Sequence, residues 1–172
     1  MKKVYGILLA ALLVLVAGCT KVEQGNYKEG TYFGFDAKNQ QTAVVYVDST
    51  GKIKSVFVDA VYGQKQTDGT TVYTTKQILG DAYGMKSASA AGNEWYEQIK
   101  LLTDKVVEEQ GIDWLVFKYR VTNANGDLEF TATKPDAQTE AQKNYTDSVA
   151  GVTININPSY TAIKNALDKA AK

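Results

Sequence analysis

Thr42-Ala43-Val44-Val45-Tyr46-Val47-Asp48-Ser49-Thr50-Gly51-Lys52-Ile53-Lys54-Ser55-Val56-Phe57-Val58 decides the fold class. Two runs rich in β-branched and aromatic residues flank a polar stretch that contains Gly51. β-Branched and aromatic side chains suit a pleated surface, and Asp, Ser and Gly suit a tight reversal. The reading is an antiparallel hairpin turning near Ser49 to Gly51.

Strand signals continue on the N-terminal side. Thr31-Tyr32-Phe33-Gly34-Phe35 is aromatic and β-prone, so three antiparallel strands are expected in succession. On the C-terminal side, Gly63 to Thr71 is polar and reads as a loop. Thr75 to Ala82 reads as a short helix ended by Gly84, and Met85 to Gly92 as a loop of small residues. Asn93 is then expected to cap a helix running to about Gln110, with Gly111 as its stop. Trp95, Ile99, Leu102, Val106 and Val107 recur at three- and four-residue spacing and form its apolar face. Glu94, Lys100, Asp104, Lys105 and Glu108 read as its solvated surface.

Leu115, Phe117, Tyr119 and Val121 alternate with more polar neighbours, and Leu128, Phe130 and Ala132 alternate again after a turn at 123–127. Alternation of period two predicts a second hairpin. Pro135 to Tyr145 is polar and reads as a loose helix or a loop. Asn157-Pro158 is a helix start, with Asn as N-cap and Pro at the first helical position. That last helix buries Ile163, Ala166, Leu167 and Ala170. Strands, helices, strands and a helix in this order predict an α+β domain with a mostly antiparallel sheet and packed helices.

The N-terminus bears on location. Met1-Lys2-Lys3 is basic, and Val4 to Ala17 is almost wholly apolar. This is the pattern of a secretory signal peptide, too short to span the ~30 Å hydrocarbon core of a bilayer. It ends in Leu15-Val16-Ala17-Gly18-Cys19, which resembles the lipobox of bacterial lipoproteins. The resemblance implies cleavage before Cys19 and lipidation of Cys19; the alternative is an ordinary signal peptide with an incidental cysteine. Residues 1–18 are then the signal peptide, 19–26 a polar tether and 27–172 a single domain. The expected location is the extracytoplasmic face of the cell membrane. Acyl chains on Cys19 would enter the bilayer at ~0.8 kcal/mol per buried CH₂.

Composition excludes several chemistries. Cys19 is the only cysteine, so the exported domain has no disulfide. The chain has no His, which rules out a His-ligated metal site and a Ser-His-Asp triad. Lys+Arg and Asp+Glu each number 19; loss of Lys2 and Lys3 with the signal peptide leaves a mature charge of about −2. No concentrated basic face suggests nucleic acid. Glu108-Glu109 could suggest a hydrolase pair, but adjacent helix positions do not face one another.

Functional chemistry concentrates in Asp147-Ser148-Val149-Ala150-Gly151-Val152-Thr153-Ile154. Gly151 allows a turn or a close backbone approach, and Thr153 presents a hydroxyl two residues later. The plainest reading is a threonine in a strand after a turn. A hydroxyl shortly before a helix N-terminus also suits an anion such as phosphate.

The stretch resembles the flavinylation motif of the FMN-binding domain family: Asp, two variable residues, Ser or Thr, Gly, Ala, Thr. The spacing from Asp147 to Thr153 is intact and so is Gly151, while Ala150 stands for Ser or Thr and Val152 for Ala. Tyr27-x-x-Gly30-Thr31-Tyr32, a strand, Gly51-Lys52-Ile53 and another strand resemble the opening of the same domain. Lys76, Leu79-Gly80-Asp81, Tyr83-Gly84-Met85 and Glu94-Trp95 resemble a segment of its exported Gram-positive lipoproteins.

The resemblance implies FMN joined to Thr153 by a phosphoester bond that a dedicated flavin transferase makes. Gly151 and Val152 belong to the attachment site, and Asp147 to the pattern the transferase recognises. Function would be electron carriage between a membrane dehydrogenase or quinol and an external acceptor, a carrier more than an enzyme. Trp95, Tyr96, Tyr83 and Met85 are candidates to pack the flavin ring. The departures at Ala150 and Val152 motivate the alternative, a cofactor-free surface lipoprotein that keeps the domain for binding or interaction.

Overall fold

The structure is a computed structural model and describes residues 23–135 and 143–172. Residues 1–22, with the signal peptide and Cys19, and most of the 135–145 segment therefore lie outside the described residues.

Four strands form an antiparallel meander in the order β1 (Gly30–Asp36), β2 (Gln41–Val47), β3 (Ile53–Lys65), β4 (Thr71–Thr75). The β2–β3 pairing sets Val44 opposite Phe57 and Tyr46 opposite Ser55, with a bulge between Tyr46 and Val47. The turn between them is built on Asp48. Its carboxylate accepts the Thr50 hydroxyl at 2.6 Å and the N–H groups of Thr50 and Lys52 at 2.9 and 3.1 Å. The side-chain period of two sends Ala43, Val45 and Val47 of β2, and Ile53, Val58 and Ala60 of β3, into the core. Phe33, Phe35, Tyr46 and Phe57 stay exposed on the opposite face.

Strand β3 runs further than expected. Gly63 to Lys65 pair with Thr71 to Tyr73, so the expected 63–71 loop shrinks to a reversal. There Asp68 accepts the N–H and hydroxyl of Thr70 at 2.9 and 2.7 Å. The β-prone Val61-Tyr62 and Val72-Tyr73 outweigh the polar residues between them.

Helices α2 (Trp95–Glu108) and α3 (Asn157–Ala170) cover the inner face, α2 against β3 and α3 against β1 and β2. Trp95, Ile99, Leu102 and Val106 are buried, as the spacing predicts, and join Ala162, Ile163, Ala166 and Leu167 of α3 in one apolar cluster. Gly34 sets the distance between β1 and α3: a Cβ there would stand 1.9 Å from the Ala162 carbonyl oxygen. A four-residue α1 (Lys76–Leu79) and a 3₁₀ turn (Gly80–Tyr83) follow β4. Gly84 closes them at φ +75°. The fold is therefore α+β with a mostly antiparallel sheet.

Helix ends differ from expectation in three places. Glu94, not Asn93, caps α2, through a capping box with Glu97. At the far end Gln110, ahead of the expected stop Gly111, takes a positive φ of +55°. Its amide exchanges two hydrogen bonds with the Ile53 backbone, at 2.8 and 2.9 Å, which offsets the strain. Ile156 is the N-cap of α3, and the Asn155 side chain accepts the Asn157 N–H at 3.0 Å.

The second hairpin is shorter than expected: β5 (Tyr119–Thr122) pairs with β6 (Leu128–Thr131). Leu115 leaves the alternation because it is drawn into the core. The Phe117 ring meets Tyr160 edge-on at 5.0 Å. The segment before β1 meets the end of α3 as well. Tyr27 bridges to Ala171, and the Lys28 N–H donates to the Ala170 carbonyl at 2.8 Å.

Candidate functional site

The 147–154 segment is a turn and loop rather than a strand. The Val152 N–H donates to the Val149 carbonyl at 3.2 Å. Gly151 is the third residue of that turn at φ +84°, close to what a type II turn requires there. The Asn93 side chain donates to the Gly151 carbonyl at 3.2 Å and ties the turn to the start of α2. Side chains then part. Val152 is buried in the core at 2 % exposure, and Thr153 faces a cleft.

Glu94 organises the opposite wall. It is buried, not solvated as its place beside the apolar stripe suggested. One carboxylate oxygen accepts the Met85 N–H at 2.9 Å and the other the Lys86 N–H at 2.8 Å. An anion at a helix N-terminus that also takes such charge-assisted hydrogen bonds is a strong anchor. It folds the small-residue loop back onto α2. Ser89, whose N–H donates to the Met85 carbonyl at 2.9 Å, is thereby delivered to Thr153. The two hydroxyl oxygens are 3.3 Å apart.

Gln98, one turn into α2, completes the site without any exposed surface. Its side-chain oxygen accepts the Thr153 N–H at 2.8 Å and lies 3.4 Å from the Thr153 hydroxyl. Its amide nitrogen donates to Ser89 Oγ and to the Asn93 carbonyl, both at 3.0 Å.

The cleft has a volume of about 380 Å³, and Thr153, Ser89, Met85, Trp95, Lys76, Arg120, Tyr145 and Pro158 are among the residues lining it. That lies within the ~300–1,000 Å³ of small-molecule sites. Lys76 Nζ is 4.7 Å from the Tyr83 ring centre and 5.3 Å from that of Trp95. The Arg120 guanidinium is 5.6 Å from the Tyr145 ring. Among the described residues lining the cleft none is Asp or Glu, and two, Lys76 and Arg120, are cations. Cations, a pair of hydroxyls and aromatic faces together suit an anionic ring compound.

The expected site residues separate here. Thr153 lies in the cleft with Gly151 behind it. Val152 points away, so its bulk does not narrow the approach to the Thr153 hydroxyl. Asp147 is half exposed and pairs with Lys118 at 3.4 Å, outside the cleft. Trp95 and Met85 line the cleft, whereas Tyr83 stands behind Lys76 and the Tyr96 hydroxyl donates to Asp81 at 3.1 Å. Ser89, Gln98 and Arg120 were not expected. Gln98 did leave a signal: a polar residue among Trp95, Ile99 and Leu102 breaks the apolar stripe.

Among the described residues no helix is long and apolar enough to cross a membrane, and no acidic or cysteine cluster could hold a metal ion. No family model and no solved structure matches the chain. It is similar to a chlorophenol reductase of Desulfitobacterium hafniense, 29 % identical over 84 % of this chain and 54 % of the relative. The chain thus spans about half the length of that relative.

Proposed function

We propose that the protein is a lipid-anchored, extracytoplasmic electron carrier whose FMN is linked to Thr153 by a phosphoester. The observation that carries this reading is the place of the Thr153 hydroxyl. It opens into a cleft lined by Lys76, Arg120, Trp95 and Tyr145, beside a second hydroxyl and near the start of α3. The residues fit the group. Lys76 and Arg120 supply positive charge for a phosphate, Ser89 a hydrogen-bonding hydroxyl, and Trp95 and Tyr145 ring faces for a flavin. Bound FMN supplies the one- and two-electron chemistry. Lys76 and Arg120 would hold its phosphate, and Trp95 and Tyr145 would pack its ring. Covalent linkage suits a protein outside the cell, where a dissociable cofactor is lost by dilution. The similar protein is named a reductase, which is redox chemistry of the same broad class.

The alternative is a cofactor-free lipoprotein that uses the domain for binding. Ala150 favours it, because the hydroxyl usual at that motif position is missing; Val152 does not, because its side chain is packed in the core. Absorbance of protein exported together with its flavin transferase separates the two. Flavin bands that survive denaturation support the first reading, and a bare protein spectrum supports the second.

A further inference from the structure

We propose that Gln98 is a positioning residue for flavin attachment, acting through Ser89 to set which lone pair of the Thr153 hydroxyl faces the cleft. This rests on Thr153 being the FMN acceptor.

A glutamine without solvent contact is costly unless its polar atoms are paired. Its orientation is fixed by its partners. The side-chain oxygen must face the Thr153 N–H at 2.8 Å, and the nitrogen must face the Asn93 carbonyl at 3.0 Å. The remaining amide hydrogen goes to Ser89 Oγ at 3.0 Å. Ser89 Oγ also accepts the Asn93 N–H at 3.4 Å. A hydroxyl oxygen has two lone pairs and one hydrogen. With both lone pairs of Ser89 engaged, its hydrogen is left to donate to Thr153 Oγ1, 3.3 Å away. Thr153 Oγ1 then accepts from Ser89 and turns its own hydrogen toward Gln98 Oε1 at 3.4 Å. One lone pair of the acceptor oxygen remains for the cleft.

That lone pair is the nucleophile. The bond from Thr153 Oγ1 to the FMN phosphorus forms as the pyrophosphate P–O bond of a flavin dinucleotide breaks, and the nucleoside monophosphate leaves with the electron pair. The hydroxyl proton needs a base. No carboxylate is among the described residues lining the cleft, and the chain has no His. The lone pair attacks first; the proton then turns from Gln98 Oε1 to a base that we assign to the transferase, and this chain supplies the orientation for the attack.

The test is the kinetics of FMN attachment to the full chain by its transferase, followed by intact mass. Variants are Gln98→Leu, Ser89→Ala and Val106→Ala, the last a core control. Gln98→Leu should lower kcat for attachment by about 100-fold, the loss typical of a misplaced reacting group, and Ser89→Ala by about tenfold. KM for the acceptor chain should change less than about threefold in both, because Gln98 has no exposed surface and Ser89→Ala removes a single hydroxyl from the cleft wall. Val106→Ala should destabilise the fold and leave kcat unchanged. In the FMN-free protein, amide exchange at Thr153 should quicken in Gln98→Leu beyond what Val106→Ala produces. Attachment to Gln98→Leu at the wild-type kcat, or slowed only as much as in Val106→Ala, overturns the proposal while leaving Thr153 as acceptor. If Gln98→Leu does not fold, Ser89→Ala modified at the wild-type kcat overturns it. A wild type that takes no FMN overturns both this proposal and the reading beneath it.

Discussion

The hydroxyl oxygens of Ser89 and Thr153 lie 3.3 Å apart although 64 positions separate them in the chain. One belongs to a loop of small residues and the other to a glycine turn. Neither segment has regular secondary structure that would hold it in place. Both are tied to the first turns of α2, the loop through Glu94 and the turn through Asn93 and Gln98. The Ser89–Thr153 pair is therefore held from the start of that helix.

Removal of the Glu94 carboxylate should loosen the cleft before it unfolds the domain. Glu94→Ala loses two hydrogen bonds to a charged group, at ~1.5–3 kcal/mol each, as well as the helix cap. We expect a loss of at least about 3 kcal/mol in denaturant unfolding, with faster amide exchange at Met85 and Lys86. Unchanged protection at those two amides would contradict the anchoring role.

The two glycines at close approaches should respond differently. Gly151→Ala places a Cβ at φ +84°, where an L-residue costs about 1–2 kcal/mol. The nearest atom to that Cβ, Cδ1 of Leu101 at 2.9 Å, is a side-chain end that can move. Gly34→Ala sets a Cβ against α3 backbone, which must shift, so the cost should exceed that of Gly151→Ala. Thermal unfolding of the two variants gives the order; a smaller loss for Gly34→Ala would contradict the β1–α3 contact.

Much of this frame is legible in the chain. The Asp48 turn, the alternation of β2 and the apolar stripe of α2 depend on local pattern, and local pattern is what a sequence displays. The cleft is less legible. Ser89 looks like any serine in a small-residue loop, because its partner is distant. Glu94 looks solvated because its binding partners are backbone amides, which no sequence pattern marks. Gln98 is visible only as a flaw in the stripe. Gln110 took a positive φ ahead of Gly111 because a long-range bond to Ile53 outweighed local preference. Leu115 left its strand for the same kind of reason, a core position offered by the tertiary fold.

The hairpin turn sets a pH dependence. The Thr50 hydroxyl, then the Lys52 N–H, lower the Asp48 carboxyl from 3.8 to about 2. A depressed carboxyl pKa adds stability that is present above its unfolded value and is lost as pH falls through the folded one. The stability gap between wild type and Asp48→Asn should thus be constant above about pH 5 and shrink from about pH 4 to about pH 2. Unfolding of both proteins across that range is the check. A gap that widens toward acid would have the wrong sign.

Cys19 lies outside the described residues, and its proposed lipidation is tested in cells. Cys19→Ser should abolish lipid labelling and move the protein out of the membrane fraction. A variant that stays with the membrane and keeps its full N-terminus would make the uncleaved leader the anchor instead.

The central claim is that Thr153 carries FMN, and peptide-resolved mass spectrometry of the mature protein, exported together with its transferase, tests it most directly. The account predicts an FMN-phosphoester increment on the peptide that contains Thr153 in the wild type, and none in Thr153→Ala. A wild-type peptide without the increment, under conditions where the same transferase modifies a protein with Ser or Thr at the position of Ala150 and Ala at that of Val152, would contradict it.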